Sequence, residues 1–377
     1  MKVPVPDFNM IKPDIQYFKG RERTIKIKKV IDFFGYNFFN KNKNLTASDL
    51  KHTESVAIVQ MGHIGDLLLS MPMICQVKKS LNKRLVLAVN EYTYDLAKHL
   101  KCVDELVVLE SFRSIYLYNS KKRSFSGTVK SFKTLKADII FEIRGDINII
   151  VPIYLFSKYK YLFGFNVGGA GFLLDVVLDY PHHQHISKTY NRFLEFFNIP
   201  EPELQTLDFY LDYEFKNILR LDNYITVAIG AGNKSKEWED EKFVELINSL
   251  IAQNEKVVLI GKIEPERLEK YRSISKSESV VNMLNKTTIL EALSIVKFSK
   301  LFIGLDAGLT HAAAMFGVRT VALYSAMNEL EIWRPYKNLA DVSLIRKEVD
   351  CELCLVGCQN NICMKSIEVG DVLKVIK

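Results

Sequence analysis

The chain has 377 residues, of which 48% are hydrophobic and 25% charged, with 18 glycines and 10 prolines. These values exclude a disordered or collagen-like protein and predict two domains of ordinary size. A net charge of +7 suits a phosphorylated substrate or an anionic membrane surface; no nucleic-acid motif accompanies it, and no nucleic acid is expected as a partner.

Residues 1–54 differ from the rest. Lys and Arg crowd residues 19–29, and the aromatic run IDFFGYNFF follows at 31–39. Ile25, Val30, Ile31, Phe33, Phe34 and Phe38 predict one apolar face of a helix that Gly35 interrupts. Such a helix either packs on the body of the protein or lies in a membrane interface. No apolar run reaches the roughly 20 residues of a spanning helix, and the opening residues lack the apolar core of a signal peptide. The expected place is therefore the cytoplasm, and the interfacial reading of this helix puts the protein peripheral on the inner face of the cytoplasmic membrane. There the six cysteines are expected to stay reduced.

Alternating elements begin at Ser55. SVAIVQM is a short, continuous apolar run, which predicts a buried parallel strand. The turn GHIGD and a helix over 67–81 follow. Then come the strand RLVLAVN, the helix YTYDLAKHL and the strand ELVVLE. A Lys-, Arg- and Ser-rich stretch at 111–133 ends in a helix-like segment, and ADIIFEIRG is the next strand. A second series starts near residue 220 with YITVAIGAG. It continues through the helix DEKFVELINSLIAQN, the strand KVVLIG, the helical PERLEKYRSI, the strand VVNML and the helix TTILEALSIVKFS. The strand KLFIGLD, the helix THAAAMFG and the strand TVALYS complete it. The fold class is α/β, with two doubly wound Rossmann-like units. The expected domains are an N-terminal extension at 1–54, an acceptor domain at 55–215, a donor domain at 216–350 and a cysteine-bearing tail at 351–377.

Three strand-end motifs carry chemistry. Gly62, His63, Ile64, Gly65 and Asp66 follow a strand and open a helix, at the sheet edge where open α/β folds bind ligands. Asp66 there is either a general base for a hydroxyl nucleophile or a residue that only stabilises the helix start. Gly232 and Lys236 lie in a glycine turn after the strand at 224, where a cation suits a phosphate; a solvated loop is the plainer alternative. Asp306, Gly308, Leu309, Thr310 and His311 join a strand to an Ala-rich helix expected to begin near Thr310. Its N-terminus would bind an anion, and Asp306 would meet sugar hydroxyls. Arg144 and Asp146 end another strand and are candidates for an anionic acceptor.

Together these motifs resemble glycosyltransferase family 9, the lipopolysaccharide heptosyltransferase type. The resemblance rests on VAIVQMGHIGDLLLSMPM, on Lys236-Glu237-Trp238, on Lys286-Thr287-Thr288, and on the segment from Asp306 to His311. Trp333-Arg334-Pro335-Tyr336, FEIRGD at 141–146 and GFNVGGAGFLLD at 164–175 add to it. It implies a GT-B fold with two Rossmann-like domains facing across a cleft. It further implies inverting transfer of a sugar, typically from ADP-heptose, to a glycolipid acceptor of the lipopolysaccharide core type. On that pattern Asp66 is the acceptor base and Lys236 the cation on the leaving diphosphate. Asp306 is a sugar ligand, and Gly308, Leu309, Thr310 and His311 form the diphosphate cradle. Lys286, Thr287 and Thr288 lie near the nucleobase, while Gly62, His63 and Gly65 lie on the acceptor side. The chain departs from the family pattern at His63, at Ala307 and over Ser325, Ala326 and Met327; the last two departures bear on the identity of the sugar more than on the reaction type. Rival readings are a GT-B nucleotide-sugar epimerase and a non-catalytic nucleotide-sugar- or glycan-binding relative. No cofactor is expected. Cys351, Cys354, Cys358 and Cys363 fall within thirteen residues, a spacing open to a structural zinc or to plain structural cysteines.

Overall fold

A computed structural model describes residues 22–111, 124–354, 358 and 360–376. The part of the basic N-terminal run before residue 22, and most of the Lys-, Arg- and Ser-rich stretch after 111, lie outside the described residues. The chain divides into two compact units, Met1–Glu203 and Leu204–Lys377.

The first unit is built on six parallel strands: β1 (Ser55–Gln60), β2 (Arg84–Val89), β3 (Glu105–Val108), β4 (Ile139–Glu142), β5 (Tyr161–Phe165) and β6 (Val176–Leu178). Their order is β3-β2-β1-β4-β5-β6. β1 lies at the centre, pairing Val56 with both Leu85 and Ile139. Every residue of β1 is buried, which explains its unbroken apolar run. Helices α1 (Glu22–Phe38), α2 (Ile64–Leu81), α3 (Glu91–Ala97), α4 (Phe125–Phe132), α5 (Ile147–Phe156) and α6 (Ile186–Phe196) belong to this unit. The sequence did not signal β5, β6, α5 or α6. β5 contains Gly164, β6 is three residues long, and α5 carries Pro152.

Two expectations are corrected here. Gly35 does not interrupt α1, which runs unbroken from Glu22 to Phe38, and a Cβ at that position would lie 2.2 Å from the Phe172 ring. Its glycine serves close packing rather than a break. The Asp32 carboxylate accepts from the Ala170 N–H at 2.7 Å, and the Tyr36 hydroxyl accepts from Asn166 at 2.8 Å. The chain then runs along the unit, with Lys41 N–H donating to Phe172 O at 2.9 Å and Lys43 N–H to Asp175 O at 2.7 Å. The face of α1 opposite Asp32 and Tyr36 exposes Ile27, Val30, Ile31, Phe34 and Phe38. Secondly, Cys75 of α2 and Cys102 are joined in a disulfide, where reduced thiols were expected. Their Cα atoms are 5.2 Å apart, a separation a disulfide spans.

The second unit repeats the plan. Its strands are β7 (Tyr224–Ala228), β8 (Lys256–Ile260), β9 (Val280–Asn282), β10 (Leu301–Leu305), β11 (Thr320–Leu323) and β12 (Val342–Ile345). They are ordered β12-β11-β10-β7-β8-β9, the same sequence of connections as in the first sheet. Side chains of β7 alternate between two cores: Ile225 and Val227 face one, Tyr224 and Ala228 the other. Helices α7 (Leu207–Tyr210), α8 (Asp240–Ala252), α9 (Ile289–Lys297), α10 (Gly308–Met315), α11 (Leu330–Trp333), α12 (Ile362–Lys365) and α13 (Val369–Ile376) complete it. α10 starts at Gly308, two residues ahead of the expected Thr310. Trp238 is core rather than site: it is buried and donates to Ile367 O at 2.9 Å.

Candidate functional site

In each sheet the strand order reverses beside the first strand of its series, between β1 and β4 and between β7 and β10. The loops at the carboxyl ends of these strands carry the residues singled out by sequence, and each unit holds its own set.

In the first unit β1 runs into Met61 and Gly62, and α2 begins at Ile64 with Asp66 in its first turn. The Asp66 side chain is buried. One carboxylate oxygen accepts from the His63 N–H at 2.8 Å, and the other is paired with the Arg144 guanidinium, also buried. His63 Nδ1 lies 3.7 Å away. Burial would raise the Asp66 pKa, but Arg144 and His63 outweigh it and hold the carboxyl well below the usual range. Gly62 is required by this pair: a Cβ there would lie 2.5 Å from Arg144 Nη1 and 2.6 Å from Asp66 Cγ. Arg144 is itself fixed by Glu142, whose carboxylate accepts from the Arg144 N–H at 3.2 Å and the Asp146 N–H at 3.1 Å. Asp146 accepts from the Asn148 N–H at 2.9 Å and so caps α5.

Sequence reasoning missed three supporting residues. Gln60, fully buried, donates to Asp66 O at 3.1 Å and accepts from the Gly62 N–H at 3.0 Å. Asn90 donates to Met61 O at 3.0 Å and Gly62 O at 2.7 Å. Tyr190 of α6 is buried, and burial together with the Asp66 charge raises its phenol well above the ordinary value. A polar residue closing an apolar strand was the available signal for the first two.

In the second unit the segment after β7 turns through Gly232, where an added Cβ would meet nothing within 4 Å. Asn233 accepts from the Ser235 N–H at 3.0 Å, and a short 3-10 turn presents Lys236. Lys236 Nζ lies 2.6 Å from Asp306, which directly follows β10. The loop is braced by Asn361, which donates to Glu237 O at 2.8 Å, and by Ser235, which donates to Met327 Sδ at 2.9 Å. Met327, one of the departures noted above, thus ties two loops of this half-site together. Ala307 supplies no side-chain cap to α10, and the Thr310 hydroxyl turns back to Leu305 O. Gly308 and Leu309 are half-buried, and His311 is buried in that turn. Lys286 donates to Asn282 O at 2.9 Å, Thr287 is half-buried, and Thr288 caps α9 in a box with Glu291.

Among the described residues no three His, Cys, Asp or Glu side chains are grouped to hold a metal ion. Cys351, Cys354, Cys358 and Cys363 are free thiols. Burial and its neighbour Cys358 raise the Cys354 thiol, while N–H groups of Asn361 and Asn360 lower Cys358.

Residues 153–360, more than half of the chain, match the profile of glycosyltransferase family 9 (heptosyltransferase). Lipopolysaccharide heptosyltransferase 3 of Escherichia coli is 28% identical over 119 residues, covering 31% of this chain and 35% of that protein. Lipooligosaccharide heptosyltransferase 2 of Campylobacter jejuni is 26% identical over 174 residues, covering 44% and 54%. The chain thus spans about a third to a half of the length of these curated relatives. A family 9 glycosyl transferase of Veillonella parvula superposes with a TM-score of 0.66 at 18% identity, covering 85% of this chain and 95% of that one. An E. coli heptosyltransferase solved with ADP-2-deoxy-2-fluoro heptose gives 0.66 at 14% identity, covering 85% and 98%. These likenesses show the fold, two Rossmann-like units of the GT-B type.

Proposed function

The chain belongs to glycosyltransferase family 9, and from that premise we propose that it is an inverting glycosyltransferase moving a heptose from ADP-heptose to a lipopolysaccharide core or related surface glycan. The observation that carries this reading is the pair of strand-end half-sites. One presents a carboxylate, Asp66, for an acceptor hydroxyl. The other presents an ammonium, Lys236, and the first turn of α10, to which Ala307 supplies no side-chain cap, for a diphosphate.

In this reaction the acceptor O–H gives its proton to Asp66 as its oxygen bonds to the sugar's anomeric carbon. The bond from that carbon to the diphosphate breaks on the opposite face, and the electron pair leaves with ADP. Lys236 and the α10 N–H groups stabilise the charge that develops on the diphosphate. Asp306 holds sugar hydroxyls and Lys236 together. No metal or other cofactor has a step in this scheme.

The test is Asp66→Ala, assayed with nucleotide-sugar donors on a glycolipid acceptor. Removal of a general base costs about 10²–10⁴-fold in rate, while donor binding is expected to survive. Near wild-type transfer would refute the role.

The glycolipid also bears on location. Among the described residues no helix is long and apolar enough to cross a membrane. The exposed row Ile27, Val30, Ile31, Phe34 and Phe38 on α1, flanked by Lys26 and Lys29, supports peripheral attachment to an anionic surface on the cytoplasmic side. Deleting this region would remove the buried Asp32 and Tyr36, so the better variant is Phe34→Ser with Phe38→Ser. It should lose co-sedimentation with anionic vesicles at low salt and keep its melting temperature. Undiminished vesicle binding would end the idea.

A further inference from the structure

The ion pair between Asp66 and Arg144 poses a problem for the reading just given. A base has to accept a proton, yet both oxygens of this carboxylate are taken. One holds the His63 N–H at 2.8 Å and the other holds the buried guanidinium. A carboxylate so paired is a weak base. Arg144 is not a passive neighbour, since it comes from the end of β4, across the strand reversal from Asp66, at a sequence separation of 78. Glu142 fixes its backbone, and Gly62 leaves the space in which the two side chains meet.

We propose that Arg144 is an exchangeable counter-ion that silences Asp66 until an anionic group of the acceptor draws it away. The inference rests on Asp66 being the base. In the acceptor-free protein the pair keeps Asp66 from activating water, so bound donor is not hydrolysed. An acceptor carrying a carboxylate or phosphate near its nucleophilic hydroxyl offers the guanidinium a second anion, with the bidentate geometry it favours. As Arg144 turns to that anion, Asp66 loses its strongest partner and gains the anion's negative field. Both changes raise its proton affinity at the moment the hydroxyl arrives. The proton then passes from that hydroxyl to Asp66 as in the transfer above, with no further reactant. The other groups facing Asp66 are His63 on its own turn, the neutral Gln60 at the end of β1 and the Tyr190 phenol from α6. Glu142 and Asp146 lie on the Arg144 side. Arg144 is the one permanent cation among them. It is a positioning residue acting through Asp66, and its choice of partner makes the acceptor's anion a requirement for turnover.

The experiment uses full-length protein with Arg144→Gln, Arg144→Lys and the double variant Asp66→Asn/Arg144→Gln. The first readout is carbon-13 NMR titration of the Asp66 carboxyl, with no substrate present. Loss of an adjacent arginine should raise its titration by about one to three pH units, and Arg144→Lys should restore much of the low value. Inorganic phosphate and acetate, added separately to wild type, should each raise it, and the larger response identifies the anion class. The second readout is nucleotide release from donor without acceptor. With a Brønsted slope of roughly one half, the same shift speeds attack by water about 3- to 30-fold in Arg144→Gln. The gain should vanish in the double variant, while transfer to an anionic acceptor falls about 10- to 100-fold. A structural role alone would lower hydrolysis and transfer together. An Asp66 titration unmoved by Arg144→Gln, or hydrolysis no faster than wild type in a protein that performs transfer, overturns the proposal. If the carboxyl moves as expected but wild type transfers no sugar, the counter-ion role stands and the glycosyltransferase reading falls.

Discussion

Lys236 and Asp306 offer a test that is independent of catalysis. Their side chains are 18% and 6% exposed and their charged atoms 2.6 Å apart. Truncating one partner of a buried, hydrogen-bonded charge pair costs about 2–5 kcal/mol, mostly because the other charge is left behind. Lys236 keeps some contact with water, so the expected loss is about 2–3 kcal/mol. The loss should be unequal. Lys236→Met strands the deeper Asp306, whereas in Asp306→Leu the longer lysine can swing its head toward solvent. For a unit of this size each kcal/mol moves the melting temperature by about 2–4 °C, so Lys236→Met should melt about 4–12 °C lower. Both tryptophans of the chain, Trp238 and Trp333, lie in the second unit, so tryptophan fluorescence reports this unit without interference. The double variant, with two apolar side chains facing each other, should recover most of the loss. If the double variant's loss equals the sum of the single losses within about 0.5 kcal/mol, the two residues are not coupled and the half-site described here is wrong.

The acid limb of stability gives a further check. Asp66 has a folded pKa below its unfolded value of about 3.9. Its contribution is therefore fully present above that value and is lost as pH falls through the folded pKa. The stability difference between wild type and Asp66→Asn, followed by urea unfolding, should be flat from pH 5 to 8 and shrink below about pH 4. A difference that grows on acidification would contradict the ion pair. Gly62→Ala should push the same pair apart, since its new methyl would sit 2.5 Å from Arg144 Nη1. Overpacking of this kind costs about 1–3 kcal/mol, and a variant with wild-type melting and wild-type transfer would show that the contact is not tight.

Where a strand is a long apolar run, as in β1, β7 or β10, burial on both faces writes itself into composition and the element is plain. β5 and β6 are short outer strands, and YLFGF or VVL cannot be told from loop by pattern alone. Gly35 misled for a different reason: the sequence shows that a side chain is missing but not that Phe172, 137 positions away by number, needs the room. The same limit applies to the site. Asp66, Arg144, Lys236 and Asp306 were each identifiable from strand-end position and charge. Their pairing was not, because it depends on β1 lying beside β4 and β7 beside β10, a property of strand order rather than of local spacing.

The strap formed by α1 and residues 41–43 has a consequence for synthesis on the ribosome. The partners of Asp32, Tyr36 and Asn42 lie 129 to 138 residues later in the chain. At about 5–20 residues per second, roughly 7–28 s pass between the making of α1 and the making of the surface that receives it. Through that interval its polar anchors have no place to dock, and Phe33, Gly35 and Tyr36 stand open beside Phe34 and Phe38. The first helix of the described chain to be synthesised is thus among the last of its own unit that can be placed, and whatever meets it in the meantime meets its whole circumference.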